Sequence, residues 1–215
     1  MNTNNNRGLF ITLEGIDGAG KTTQFDTIAG FLRAAGRHVT TTREPGGTPL
    51  GERIRALLLT EAMTTSTEAL LMFAARQEHV LRVIEPALLQ GHDIVCDRFT
   101  EATFAYQGAG KGIPQDRLQT LARWVHPGLK PDYTFLIDVP AELAARRLQA
   151  QGRARDRFEN ESLDFFMRVR QHYLNMAEAE PARWGVIDGT QSADQVRLDI
   201  IYYMKNIIQQ TVSNG

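Results

Sequence analysis

Gly15-Ile16-Asp17-Gly18-Ala19-Gly20-Lys21-Thr22 fits G-x-x-x-x-G-K-[ST], the pattern of a loop that cradles phosphates. Glycines let the backbone turn its N–H groups inward onto an anion, and the N-terminus of a following helix adds partial positive charge. Lys21 is then placed to reach the β- and γ-phosphates of a bound nucleotide. The hydroxyl of Thr22, followed by Thr23, is placed to hold Mg²⁺. Asp17 is the odd member, since an acid among anion donors repels phosphate unless it points away. It either accepts a hydrogen bond from a second substrate or a metal-bound water, or it stabilises the turn.

Four further constellations could serve a transfer between two anions. Ile94-Val95-Cys96-Asp97-Arg98 is an apolar run ending in an acid suited to Mg²⁺ and an arginine suited to a bidentate grip on phosphate. Thr42-Arg43-Glu44-Pro45-Gly46-Gly47-Thr48-Pro49 makes a shaped loop, with Arg43 at its entry facing a second anion. Residues 151–159 carry Arg153, Arg155 and Arg157 on a Gly-started segment and end at Glu159. A charge run of this kind is commonly a solvated face. As a lid it would bring cations to the equatorial oxygens of a transferring phosphoryl group and expel water. On the long helical stretch, Phe73 and Arg76 are three apart and share a face. The ring either packs in the core or stacks on a nucleobase whose carbonyls the guanidinium meets.

These residues need strands to carry them and helices to cover the strands. Short apolar runs at 9–14, 38–43, 93–97, 133–138 and 184–188 read as strands buried on both faces. Between them lie helical stretches. Residues 22–35 are closed by Gly36 at C′. Residues 66–89 form one long helix after a capping box, Thr65 to Glu68, with Gly91 past its end. Residues 141–150, 162–179 and 192–210 follow, the last opening with Ser192 to Gln195. Alternation of this kind predicts a three-layer α/β fold with a mainly parallel sheet, whose ligands bind beyond the carboxyl ends of the strands. We expect a polar N-terminal arm over residues 1–8 and a single domain over 9–210 with a lid segment near 151–160.

Composition narrows the classes. The 215 residues suit one domain. A formal net charge of −1 provides no field for nucleic acid or an anionic membrane. Apolar runs stay well below the ~20 residues of a membrane span. The opening residues lack the apolar stretch of a signal peptide. The single Cys96 cannot form an intrachain disulfide. A cytoplasmic enzyme is the expectation. A guanine-reading Asn-Lys-x-Asp is absent, which weighs against a nucleotide switch.

The residues 14–23, 42–48, Phe73-Ala74-Ala75-Arg76, Asp97-Arg98-Phe99 with Ala105-Tyr106-Gln107-Gly108, and Asp156-Arg157-Phe158-Glu159 closely resemble thymidylate kinases. The bacterial type is indicated, because Gly18 stands where the eukaryotic loop carries arginine and the lid is arginine-rich. The resemblance implies the P-loop nucleoside monophosphate kinase fold with a five-stranded parallel sheet, a homodimer, and transfer of phosphoryl from MgATP to dTMP. A kinase for another pyrimidine nucleoside monophosphate is the alternative. The implied roles are ATP binding by the loop from Gly15 to Thr23, Mg²⁺ at Thr22 and Asp97, and lid cations Arg153 and Arg157 over the moving group. Arg43 and Arg98 would grip the dTMP phosphate, and Asp17 would meet the 3′-hydroxyl. Phe73 would stack on thymine, with Arg76, Thr103 and Gln107 near its edge, Tyr106 against the 2′ position and Glu159 beside the acceptor. Phe99 departs from the Tyr or His that relatives often carry after this arginine, Ala102 departs from a common serine, and residues 152–156 are shorter than in some relatives.

Overall fold

Five parallel strands form one sheet in the order β2-β3-β1-β4-β5, where β1 is Phe10–Glu14, β2 Val39–Arg43, β3 Asp93–Asp97, β4 Tyr133–Asp138 and β5 Trp184–Asp188. The computed structural model describes residues 7–152 and 156–213, and side chains as far as 209. The expected N-terminal arm therefore lies mostly outside the described residues, as do Arg153 and Arg155. β1 is buried along its whole length because it is central and covered on both faces. The strand order reverses beside β1, so a crevice opens at the carboxyl ends of β1 and β3. Register sets the chemistry there: Leu13 and Arg43 both lie opposite Asp97.

Each strand end feeds a functional segment. β1 runs into the glycine loop, and α1 (Lys21–Ala34) starts at its last turn. Gly36, with φ 78°, terminates α1 as expected. α2 (Pro49–Thr60) was not anticipated from sequence, although Thr48 caps it by accepting from the Gly51 N–H at 2.9 Å and Pro49 opens it.

The expected single helix over 66–89 is α3 (Thr65–His79), a π-helical turn (Val80–Ile84) and α4 (Glu85–Leu89). The Glu85 N–H reaches back to the Val80 carbonyl. Pro86 has no N–H to offer Arg82, and the wider turn absorbs that loss. The cap is Thr64, not Thr65, accepting from the Thr67 N–H at 3.2 Å. Glu68 closes no capping box, because its carboxylate is buried and engaged elsewhere.

α5 (Thr100–Thr103) passes into a second π-helical segment, Phe104–Gly110, and α6 (Gln115–Val125) follows. Neither was anticipated. α7 (Ala141–Ala150), α8 (Leu163–Ala179) and α9 (Ala193–Ser213) fall where expected, with Ser162 and Ser192 as caps. The main core joins β1 and β4 to α1, α8 and α9 through Ile11, Leu13, Leu32, Phe135, Val169, Tyr173 and Ile200. Among the described residues no helix is long and apolar enough to cross a membrane.

Candidate active site

A cavity of about 720 Å³ occupies the crevice, lined by residues from the glycine loop, the 44–45 turn, α2, α3, the 97–107 segment, α7 and the lid. That volume is within the range of ligand pockets.

The loop forms one wall. Gly15, Gly18 and Gly20 all have positive φ. A Cβ on Gly18 would meet the Ala144 carbonyl oxygen at 2.4 Å, so only glycine lets the loop lie this close to α7. Asp17, Gly18, Gly20, Lys21, Thr22 and Thr23 line the cavity, while Gly15, Ile16 and Ala19 shape the loop behind them. Lys21 is buried and donates from Nζ to the carbonyls of Gly15 and Ile16 at 3.1 and 3.3 Å. Burial and the Arg98 guanidinium pull its pKa below the usual lysine range. The ammonium is thus held inside the loop, where an anion would restore its favourable partner.

At the end of β3, Arg98 has φ 68°, the one positive-φ residue other than glycine among those described. This conformation costs of order 1–3 kcal/mol and persists only where neighbours over-determine it. Here they do: its Nη2 donates to Asp17 Oδ1 at 2.7 Å and Tyr106 Oη at 3.0 Å, and its Nη1 to Tyr173 Oη at 3.2 Å. Tyr106 in turn donates to Asp17 Oδ2 at 3.0 Å. Burial works against the charge on Asp17, but Arg98 and Lys21 outweigh it and hold its carboxyl below the ordinary aspartate range. Behind this group lies Glu14, fully buried, accepting from the Phe99 N–H at 2.8 Å and the Tyr173 hydroxyl at 2.7 Å. Burial pushes its pKa up to about 8, against the opposing pull of Arg98.

Asp97 Oδ1 is a buried oxygen with no hydrogen-bond partner. Thr22 stands across the same cavity. A hard cation held mostly by phosphate and water needs few side chains, so the orphaned carboxylate oxygen and the hydroxyl fit Mg²⁺.

The wall away from the loop is built from α2 and α3. Arg76 is buried. Its Nε donates to Glu44 Oε2 at 2.6 Å, and its Nη2 to the Phe99 carbonyl at 3.2 Å and Thr103 Oγ1 at 3.0 Å. Its Nη1 is a buried donor with no partner, and Arg76 is among the residues that line the cavity. Thr103, Tyr106, Gln107 and Glu159 all line the cavity. Gln107 donates to Glu68 at 2.7 Å, and Glu159 Oε2 accepts the Asp156 N–H at 3.1 Å.

Phe73, Arg43 and Arg157 do not line the cavity. Phe73 does not line the cavity: it is 2 % exposed and packs with Ala69, Leu118 and Val125 against α6. Met72 lines it instead, because α3 turns residues 72 and 76, one helical turn apart, toward the site. The Phe73 ring supports Arg76 from behind, 4.8 Å from the guanidinium carbon. Arg43 lies outside the cavity, half-exposed and paired with Glu52 at 2.8 Å. Arg55 of α2 lines the cavity and donates to the Pro45 carbonyl at 3.0 Å. Burial, with Arg43 and Arg98 nearby, lowers the Arg55 pKa.

Arg157 makes its contacts to α2 and α3. Its Nε and Nη2 donate to the Leu58 carbonyl at 3.0 and 2.9 Å, and its Nη1 pairs with the buried Glu68 at 2.6 Å. It ties the segment around 156–159 to α2 and α3. Arg147 of α7, unnoticed in the sequence, faces the loop instead and donates to the carbonyls of Ala19 and Gly189.

A phosphate loop facing a second cationic pocket is the geometry of two-nucleotide phosphoryl transfer. The family model described as thymidylate kinase matches residues 13–200. The chain belongs to the thymidylate kinase family. It is 53% identical over 199 residues to the thymidylate kinase of Methylobacillus flagellatus, covering 93% of this chain and 98% of that one. It is 58% identical over 192 residues to that of Cupriavidus metallidurans, covering 89% and 95%. Among solved structures it is similar to the crystal structure of thymidylate kinase from Ehrlichia chaffeensis, with a TM-score of 0.76, 35% identity and coverage of 93% and 99%. As a thymidylate kinase the chain phosphorylates dTMP with ATP as donor.

Proposed function

We propose that ATP lies on the loop wall and dTMP on the α2–α3 wall, with the two phosphate tails meeting between Lys21 and Arg98. The single observation that carries this is the gathering of cations from separate elements in one cavity: Lys21 inside the glycine loop, Arg98 at the end of β3 and Arg55 of α2. No covalent intermediate is needed, because two polyanions brought into line and neutralised suffice for the transfer. Lys21 and the loop amides hold the donor phosphates. Arg98, prevented from swinging by Asp17, Tyr106 and Tyr173, faces the acceptor phosphate together with Arg55. Thr22 and Asp97 would hold Mg²⁺, which when bound neutralises phosphate charge. The thymine base lies against Met72, with Arg76 at its edge. Asp17 and Tyr106 stand where the sugar of the acceptor would pass, and Glu159 beside it.

Homodimer formation is part of this reading. It is supported by exposed Leu70 on α3 and exposed Trp124 on α6, two helices that pack on one another. Residues 9–210 acting as one domain with a lid near 151–160 is kept as part of it. So is a cytoplasmic location, supported by the single buried thiol of Cys96.

A panel of nucleoside monophosphates in an ADP-release assay tests the assignment. dTMP should give the highest kcat/KM. A higher value for UMP or CMP would overturn the base placement.

A further inference from the structure

Glu68 lies on α3 one helical turn before Met72 and two before Arg76, so it shares their face of the helix. Those two line the cavity, whereas Glu68 is fully buried behind it, and the transfer as described makes no use of it. Its two oxygens keep different company. Oε2 takes two cations, Lys111 Nζ at 2.9 Å and Arg157 Nη1 at 2.6 Å. Oε1 accepts from Gln107 Nε2 at 2.7 Å. A carboxylate paired with two cations only accepts, so the side of the Gln107 amide that faces it has to be the NH₂. Charge thus dictates the sense of that amide.

Gln107 lines the cavity and is 1 % exposed. With Nε2 spent on Glu68, its remaining polar side-chain atom is the carbonyl oxygen. Oε1 accepts no hydrogen bond among the described residues, yet it is not one of the polar atoms sealed away without a partner. The small accessible part of this side chain is therefore its oxygen, and the space that it meets is the cavity. Gln107 offers an acceptor there and no donor. Thymine and uracil carry an N–H donor at N3. Cytosine has an acceptor at N3, with its amino donor displaced to N4. An amide free to turn over would serve either edge. One held by Glu68 accepts from the N3–H of thymine, and in the same pose sets two acceptors face to face with cytosine.

We propose that Glu68 is a positioning residue for acceptor specificity, locking the Gln107 amide so that its carbonyl and not its NH₂ meets the base. This rests on the placement of the base on the α2–α3 wall proposed above. Glu68→Gln reverses the lock. Lys111 and Arg157 both demand an acceptor, so the new amide turns its oxygen to them and its NH₂ to Gln107. Gln107 then turns over and presents its own NH₂ to the cavity. In steady-state kinetics on the full chain, the kcat/KM preference for dTMP over dCMP should fall about tenfold, the scale of one hydrogen bond. The preference for dTMP over dUMP, which has the same N3–H, should stay within about twofold, because the surroundings of the methyl group are untouched. Exchanging the pair, Glu68→Gln with Gln107→Glu, returns an acceptor to the cavity, keeps the charge, and should recover most of the preference over dCMP. Thermal melting of both variants is measured alongside. An unchanged preference over dCMP in Glu68→Gln, an equal fall in both preferences, or an exchanged pair no better than the single variant overturns the proposal. If Glu68→Gln does not fold, the exchanged pair decides alone, and loss of its preference over dCMP overturns the proposal. If the wild-type enzyme failed to prefer dTMP over dCMP, the base placement itself would fall, and that result is read before either variant.

Discussion

In the proposed reading, the loop wall and the α2–α3 wall of the cavity solve the same problem, holding a phosphorylated nucleoside, by different means. The loop wall is one contiguous glycine-rich stretch with a lysine held among its own carbonyls. The facing wall is assembled from side chains of α2, α3, the 44–47 turn and the 97–107 segment, each fixed by a partner on another element. A backbone site depends on local conformation and tolerates change elsewhere. A side-chain site depends on packing, so a residue that never meets the ligand can still set its shape.

The largest effect should come from the loop wall. Lys21→Ala should lower kcat by about 10²–10³, the scale seen when one preorganised charge donor is removed, with the fold retained. Steady-state turnover and circular dichroism check it, and unchanged turnover removes Lys21 from the mechanism. On the facing wall, Phe73→Ala should act through packing. A cost of about 3–5 kcal/mol in denaturant stability is expected for a buried aromatic. Met72→Ala should instead weaken dTMP binding while changing stability less, and calorimetry on both variants separates the two behaviours.

Arg55→Ala should raise KM for dTMP by about 10–100-fold, the loss of one charge-assisted contact of roughly 1.5–3 kcal/mol. Arg43→Ala should alter it by less than about fivefold, since an exposed ion pair is worth 0–1 kcal/mol. The reverse order would restore the entry-loop arginine as the phosphate ligand.

A further effect concerns pH. Glu14 ionises near pH 4.5 when unfolded and near 8 when folded, so between those values folding takes up a proton and stability falls as pH rises. Glu14→Gln should flatten that slope in chemical denaturation at pH 5, 6.5 and 8. A slope identical to wild type would show that Glu14 is ionised in its buried site.

How far the sequence reveals each wall follows the same division. The glycine loop, all five strands, Gly36 at the end of α1 and the Ser192 cap are written locally, and each falls within a residue or so of its expected place. Arg55 was missed because α2 was missed. Thr48 and Pro49 do spell a cap followed by a proline at the first helical position, but the paired glycines before them read as a loop. The choice between Met72 and Phe73 is not local at all. Both are apolar neighbours on α3, and only its packing on Leu118 and Val125 of α6 decides which one meets the cavity. Glu68 resembled a capping acid. Its actual partners Gln107, Lys111 and Arg157 lie on other elements, beyond the reach of pattern.

A crystal structure with a two-headed adenosine–thymidine oligophosphate tests the division of the cavity most directly. The adenosine-side phosphates should lie on the amides of residues 15–22, with the thymine against Met72 and within hydrogen-bond reach of Arg76. Thymine stacked on Phe73, or the thymidine half bound anywhere outside the α2–α3 wall, would contradict it.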